Sequence, residues 1–453
     1  MTVFVKHCDC WVRGNSSMGK IIWRAKEYIR SVVPAPLLSW YHLSIALLGA
    51  FLYGFPSKKI IVIAVTGTKG KSSTTEMLNA IFESAGHKTA LLNSIRFKIN
   101  TATSPNELRM SMPGRFFIQK FLSDAVHAGC TVAILEMTSE GARQYRHRGI
   151  ALDALVFTNL APEHIESHGS LEAYADAKYE IGRQLARSSK RPRIIVANAD
   201  DKESSRYLTL SIEHALPFSL AGNAPYGADE HGGHFRFDDT DITLHLPGEF
   251  SLRNAIAAAT LAQVFNIQTP VIARAFEKLL YIPGRAQRID IGQPYAVVVD
   301  YAHTPDSLTA LYEAYGNSHK ICVLGSTGGG RDLWKRPVMG GIADTMCDTV
   351  ILTNEDPYDE DPHSIVEGIA RGMKRSPLVI MDRREAIANA IAMAQSIRQT
   401  SSDQKSDRNV AVLITGKGTD PCICGPRGSK IPWSDASVAR EEIMKRMALH
   451  PEL

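Results

Sequence analysis

No block of like charge runs through this sequence: 51 Lys and Arg stand against 47 Asp and Glu, a formal net charge of +4 over 453 residues, with no long Lys/Arg run. That balance is too weak for a nucleic-acid footprint, so any charged partner must be held by local sites. Cysteine is scarce as well. The seven residues Cys8, Cys10, Cys130, Cys322, Cys347, Cys422 and Cys424 are odd in number and scattered, with no evident secretory leader, which argues for reduced thiols in a cytoplasmic protein. Two pairs are spaced CxC rather than CxxC and have no His cluster beside them, so structural zinc is not indicated. Internal repeats and heptad arrays are also missing, which excludes solenoids and coiled coils.

What is present begins with an uncharged apolar run, Leu37 to Phe55. It is long enough to cross a bilayer as a helix. Lys58 and Lys59 follow at once, and Ile60 to Val65 then reads as a buried strand, which leaves almost no linker. A helix packed on the domain or lying at a membrane surface is therefore favoured over a span, and membrane contact through it is not the favoured reading overall. A basic amphipathic stretch with Trp23, Arg24, Lys26 and Arg30 precedes it.

From Ile60 the pattern alternates strand and helix: IIVIAV, a helix from Lys71 to Ser84, then TVAILEM, LDALVFTNL and RIIVANAD as strands. Short apolar runs between helical stretches imply a parallel sheet covered on both faces. Gly222 to Leu246, ending in the alternating ITLHL, reads as turns plus a small antiparallel excursion. A second alternating block starts near Pro283-Gly284, with AVVVDYA, KICVLGS, DTVILTN, LVIM and VAVLITG as strands and Asp382 to Arg398 as a helix. Gln399 to Asn409 reads as an exposed loop. The expected fold is α/β: a central P-loop-type parallel-sheet domain plus a smaller Rossmann-like C-terminal α/β domain. The expected division is a short segment 1–55, a central domain 56–283 and a C-terminal domain 284–453.

The sharpest motif is Val65-Thr66-Gly67-Thr68-Lys69-Gly70-Lys71-Ser72-Ser73, between an apolar strand and a helix. Gly67 and Gly70 let successive N–H groups face an anion while the helix points its positive end at the same place. Lys71 then neutralises the β- and γ-phosphates and Ser72 ligates magnesium. The full GxxxxGK[ST] pattern is not met, because Val65 stands at the first glycine position. Downstream lie Glu136-Met137-Thr138-Ser139, Thr158 to Gly169 with His164 inside it, and Lys178. A strand-terminal carboxylate and an imidazole suit magnesium beside a triphosphate. Taken singly, Glu136 reads equally as a buried acid and His164 as a helix-start histidine.

In order and spacing these stretches resemble the Mur ligase family, and FLYGFPSKKI resembles the helix end that leads into the nucleotide loop of its muramyl-tripeptide synthetases. The resemblance implies an ATP-dependent ligase that activates a carboxylate as an acyl phosphate and joins it to an amine. It implies ATP at Gly67, Thr68, Gly70, Lys71, Ser72 and Ser73, and magnesium held by Ser72, Glu136, His164 and Lys178. Lys178 would be the lysine that becomes a carbamate. Asn254 in LPGEFSLRNA would read adenine, Arg285 the γ-phosphate and Asp300 of DYAHTP the ribose, while Lys335 would stabilise the tetrahedral transition state. Thr138 and Ser139 would meet the peptide substrate. Departures include Glu163 in place of the family's Asp, Glu140 near the peptide, and Ser251 in place of an asparagine.

The resemblance also implies that the incoming amino acid is read around Asp356, Tyr358, Gly416 and Asp420. Tyr358 stands where diaminopimelate-adding enzymes have arginine, and tyrosine cannot make a bidentate contact to a distal carboxylate. Diaminopimelate is therefore not supported, and Asp356, Asp359 and Asp420 are candidates for attracting a cationic side chain. The implied partners are a UDP-muramoyl-peptide-like acceptor and an amino acid, within peptidoglycan precursor synthesis. Two alternatives differ in class. A folylpolyglutamate-synthetase-like ligase fits DYAHTP less well. A non-catalytic nucleotide-binding subunit predicts loss of Lys71, Glu136, His164 or Lys178, and all four are present.

Overall fold

A computed structural model describes residues 35–163, 165–330, 332–403 and 408–449. Eight strands, β1 (Ile61–Thr66), β2 (Thr89–Leu92), β3 (Arg96–Ile99), β4 (Ala102–Pro105), β5 (Val132–Glu136), β6 (Ala154–Phe157), β7 (Ile194–Asn198) and β8 (His214–Phe218), form one sheet in the order β4-β3-β2-β5-β1-β6-β7-β8. From β2 to β8 all pairings are parallel, and β3 and β4 add an antiparallel edge. The four strands read from sequence are its buried centre. Short, polar β3 and β4 carry no apolar run to announce them.

Alternation explains why β1 is apolar throughout. Ile63 and Val65 join a core with helices α2 (Lys71–Ser84) and α5 (Glu249–Val264), whereas Val62 and Ala64 face the helix Arg115–His127 and helix α4 (Leu171–Ala186). A strand covered on both faces has no solvent side to place polar residues on. The earlier helices in chain order are α1 (Ala35–Leu52) and the short α3 (Ser139–Arg143). The predicted excursion is the antiparallel sheet β9 (Tyr226–Ala228), β10 (Gly233–Phe237) and β11 (Thr240–Leu244).

The second sheet contains β12 (Gln287–Arg288), β13 (Ala296–Val299), β14 (His319–Leu324), β15 (Thr349–Leu352), β16 (Leu378–Val379) and β17 (Val410–Ile414), ordered β12-β13-β17-β14-β15-β16. All its pairings are parallel except β12 with β13. Helix α6 (Lys335–Met346) packs on one face.

Three readings need correction or sharpening. Helix Arg383–Asp403 runs into the stretch expected to be a loop from Gln399, because Gln, Thr, Ser and Asp there include no helix breaker. Cys322 and Cys347 form a disulfide rather than two free thiols; Cys322 lies within β14 and Cys347 just after α6, a proximity that 25 residues of separation does not reveal. Helix α1 packs only through a narrow face around Ala46 and Ala50, leaving Trp40, Tyr41, Leu47, Leu48, Phe51 and Leu52 exposed. Among the described residues no helix is long and apolar enough to cross a membrane. The basic stretch at Trp23 to Arg30 lies outside the described residues.

Candidate active site

Parallel pairing brings the chemistry to one edge of the first sheet. Val65 pairs with Glu136 and Thr66 with Phe157, so the nucleotide loop, the strand-end carboxylate and Thr158-Asn159 all leave three adjacent strands at the same end. This is where α/β sheets bind ligands. The loop is closed by its neighbours: Asn159 Oδ1 accepts from the Lys69 N–H at 2.9 Å, and Thr158 Oγ1 donates to the Lys69 carbonyl at 2.6 Å. Gly67 has φ +144° and Gly70 φ +82°. A Cβ at Gly67 would lie 2.0 Å from Thr158 Oγ1, and one at Gly70 2.2 Å from Asn254 Oδ1, so both positions require glycine.

Lys71 folds back over the loop, donating to the carbonyls of Thr68 at 2.8 Å and Gly67 at 3.1 Å. Burial lowers its pKa, opposed by Glu136 and Glu163. Ser72 Oγ, in the first turn of α2, lies 2.8 Å from Glu136 Oε2, which also accepts the Ser94 N–H at 3.0 Å, while Ser111 Oγ donates to Oε1 at 2.8 Å. Ser72 Oγ and Glu136 are hard oxygen donors, and Mg²⁺ commonly takes only one or two protein ligands beside phosphate and water. The donor set therefore fits that ion. Ser73 is buried behind the loop, and Thr68 Oγ1 meets the Tyr174 hydroxyl at 3.1 Å.

Lys178 is 2% exposed, and its Nζ lies 2.6 Å from the Gly67 carbonyl and 4.6 Å from the Tyr174 ring centroid. Burial, followed by Lys71, holds its pKa well below the ordinary lysine value. An ammonium has no free lone pair, whereas the neutral amine that this burial favours is the form that adds CO₂. His164 lies outside the described residues. Its neighbour Glu163 accepts from Lys69 Nζ at 3.1 Å and lies 3.2 Å from His303 Nε2.

The second sheet reaches the same place. Arg285 Nη2 lies 3.1 Å from Ser94 Oγ and 3.4 Å from Ser72 Oγ, with its guanidinium 4.6 Å from the Tyr301 ring centroid. Asp300 accepts the Ala286 and Ala302 N–H groups at 2.5 and 2.6 Å, so its carboxylate shapes the turn around Arg285; burial raises its pKa. Lys335, at the start of α6, is buried, which lowers its pKa against the pull of Glu355 and Glu163. Asn254 Oδ1 accepts from Thr74 Oγ1 at 3.4 Å.

The expected amino-acid pocket is already charge-compensated. Asp356 accepts from Lys417 Nζ at 2.8 Å and from Arg109 Nη2 at 2.7 Å, and Asp420 accepts from the same Arg109 nitrogen at 2.6 Å. Each aspartate thus already has a cationic partner within the protein, which the sequence reading did not foresee. Asp359 instead accepts the Arg427 N–H. The reason is long-range: Arg109 comes from the first lobe, 247 residues before Asp356. Tyr358 has φ 52° and donates its N–H to the Cys424 carbonyl. Gly416 packs where a Cβ would lie 2.2 Å from Glu355 Oε2. Thr138 Oγ1 caps α3 by accepting the Gly141 N–H, and Ser139 is buried. Arg109, Ser94 and Ser111 escaped sequence reading, and Lys417 stood within the segment Gly416 to Asp420 without a role of its own. Only Lys417 had a signal, standing between two glycines directly behind the buried β17.

Residues 65–262 match the family model described as Mur ligase middle domain, and residues 284–418 match Mur ligase, glutamate ligase domain. UDP-N-acetylmuramyl-tripeptide synthetase of Roseiflexus sp. is 34% identical over 442 residues, covering 91% of this chain and 84% of the relative. The chain belongs to the Mur ligase family. A second Mur ligase relative, UDP-N-acetylmuramoyl-L-alanyl-D-glutamate–2,6-diaminopimelate ligase of Halalkalibacterium halodurans, is 31% identical over 95% of this chain and 88% of its own length. A solved structure of a ligase of that name is 26% identical with TM-score 0.57, covering 85% of this chain and 79% of its own. Folylpolyglutamate synthase of Mycobacterium tuberculosis matches at TM-score 0.66 but 18% identity, covering 83% of this chain and 93% of its own, which is likeness of fold alone.

Proposed function

We propose that this protein is an ATP-dependent carboxylate–amine ligase that adds an amino acid to a UDP-muramoyl-peptide in peptidoglycan precursor synthesis, in the cytoplasm. The observation that carries the reading is the meeting of two lobes at one serine: Ser72 Oγ is 2.8 Å from Glu136 of the first sheet and 3.4 Å from Arg285 of the second. A site built that way grips the terminal phosphate of a nucleotide from both sides and closes over it. Residues 1–55, 56–283 and 284–453 are taken as the segment and two domains of that clamp.

In the proposed reaction the peptide carboxylate takes the γ-phosphoryl group, the amine attacks the acyl phosphate, and inorganic phosphate leaves. Lys71 and Arg285 neutralise the transferred charge, and Lys335 faces the tetrahedral carbon's oxygens. Closure keeps water from the acyl phosphate. Magnesium would be held through Ser72, Glu136 and His164 and would supply Lewis-acid charge at the phosphates. Lys178 would complete that set as a carbamate, its amine nitrogen bonding to the carbon of CO₂ and releasing a proton. Thr138 and Ser139 line the acceptor's path. Asp356, Tyr358, Gly416 and Asp420 shape the amino-acid end, with Arg109 and Lys417 as fixed counter-charges.

The test is to incubate purified protein with ATP, magnesium and UDP-muramoyl-dipeptide and to screen single amino acids for phosphate release. Release with one amino acid, and a matching product mass, supports the reading. Release with folate and glutamate but with no muramoyl acceptor overturns it.

A further inference from the structure

On the side of α4 away from the nucleotide loop, the turn after α3 and helix α4 enclose an open cavity of about 590 Å³. Four arginines line it: Arg143 and Arg148 from the turn region, Arg183 and Arg187 from α4 and its end. Among the described residues two carboxylates share the lining, and both are engaged. Asp176 pairs with Arg206 at 2.5 Å, and Glu180 pairs with Arg183 at 2.6 Å and Arg187 at 3.8 Å. Arg148 has a single neutral partner, Gln184 Oε1 at 3.3 Å, and its buried Nε has none.

The second observation is His147, which lines the same cavity at 2% exposure with both ring nitrogens buried and unpartnered. A buried imidazole with neither nitrogen paired is costly, and such a group in a native fold calls for a ligand, ion or water. Lys178 and Tyr174 of α4 face the nucleotide loop, so the cavity is a separate place.

We propose that this cavity binds a phosphate-bearing small molecule, with Arg148 and Arg187 holding phosphate oxygens and His147 donating to one of them. Guanidinium groups match phosphate geometry with paired N–H bonds, and the volume lies within the range of small-molecule sites, about 300 to 1,000 Å³. Empty, the pocket disfavours the charged imidazole: burial, then Arg148 and Arg187, press the His147 pKa down to about 3. A bound phosphate reverses the sign of that field and draws a proton onto the ring.

The experiment uses the full chain with its nucleotide loop first saturated by magnesium and a non-hydrolysable ATP analogue, so that binding there is not counted. Inorganic pyrophosphate, UDP and UDP-muramoyl-dipeptide are titrated in turn while the His147 ring signals are followed by NMR, identified by their loss in His147→Gln. The expected result is a saturable shift, a His147 pKa raised by at least about one unit, and binding weakened tenfold or more in Arg148→Gln and in the surface variant Arg187→Gln, with analogue affinity unchanged. Tightest binding by UDP-muramoyl-dipeptide assigns the pocket to the acceptor's diphosphate; equal or tighter binding by pyrophosphate assigns it to a free phosphorylated effector. No saturable shift with any probe, or equal affinity in wild type and both variants, overturns the proposal. None of these readouts needs turnover, so failure here is distinct from failure of the ligase reading.

Discussion

Lys178 Nζ lies 2.6 Å from the backbone carbonyl of Gly67, joining the middle of α4 to the bend of the nucleotide loop. Two buried lysines, Lys71 and Lys178, share that loop; burial lowers the pKa of both, and the charge of Lys71 adds to the lowering at Lys178. The arrangement favours a neutral amine where the proposed carbamate forms.

Turnover is therefore expected to depend on dissolved CO₂. Wild-type kcat should fall reversibly in CO₂-depleted buffer and return with bicarbonate, and Lys178→Ala should lose about 100-fold or more, the upper range for metal-supporting groups. A ¹³C carbamate signal after ¹³C-bicarbonate, absent from the variant, checks the chemistry. Equal rates with and without CO₂ would count against it.

Lys71→Met should lower kcat/KM by about 100- to 1,000-fold, the usual loss when one preorganised donor to transition-state charge is removed. Burial already disfavours the Lys71 charge, which offsets the loss of its two bonds to the loop carbonyls, so the thermal midpoint should change little. Steady-state kinetics alongside calorimetry separate the two effects.

Gly67→Ala and Gly70→Ala should each lose nucleotide binding and destabilise the protein by about 1–3 kcal/mol, the cost of a strained backbone residue. The Gly67 change should be the worse, because its Cβ meets Thr158 and the Asn159 backbone, whereas the Cβ at Gly70 meets only the movable Asn254 side chain. Isothermal titration with an ATP analogue and chemical denaturation measure both.

Arg109→Ala removes the counter-charge shared by Asp356 and Asp420 across the two lobes. Burial opposes the Arg109 charge, but the two aspartates outweigh it. The KM for the amino acid should rise about tenfold, corresponding to roughly 1.4 kcal/mol, with the KM for ATP little changed. A larger radius of gyration by small-angle scattering is the structural readout of the lost bridge.

His303 gives a pH signature. Burial, then Lys69, lowers its pKa to about 4, whereas an unfolded histidine titrates near 6.5. The unfolded chain thus binds a proton that the folded one refuses, so this contribution to stability is present above pH 6.5 and declines as pH falls toward 4. The slope is about 1.4 kcal/mol per pH unit within that window. His303→Gln should flatten the difference between unfolding curves at pH 7 and pH 5; an unchanged difference would exclude the effect.

Much of this was legible from residue order. The buried centres of both sheets announced themselves as apolar runs, because a strand covered on both faces has no alternation to hide in. The loop around Lys71 was legible because close backbone approach to an anion needs glycines at fixed places. What sequence could not supply was distance. Arg109 reaches Asp356 only because an irregular stretch after β4 swings toward the second lobe, and Ser94 and Ser111 support Glu136 as single serines without a pattern around them. The Cys322–Cys347 bond was hidden for the same reason. The polar edge strands β3 and β4 were silent because they are too short and too wet to show a period.

The common edge of β1, β5 and β6 has an implication for the order of events during synthesis. Lys71, Ser72, Glu136 and Thr158 depend only on strands that emerge early from the ribosome, whereas Arg285 and His303 follow them. A first sheet without the second would carry a phosphate cradle with no roof, because Arg285 and His303 come from the later part of the chain. Shelter for a reactive anhydride would then arise only once the second sheet is in place.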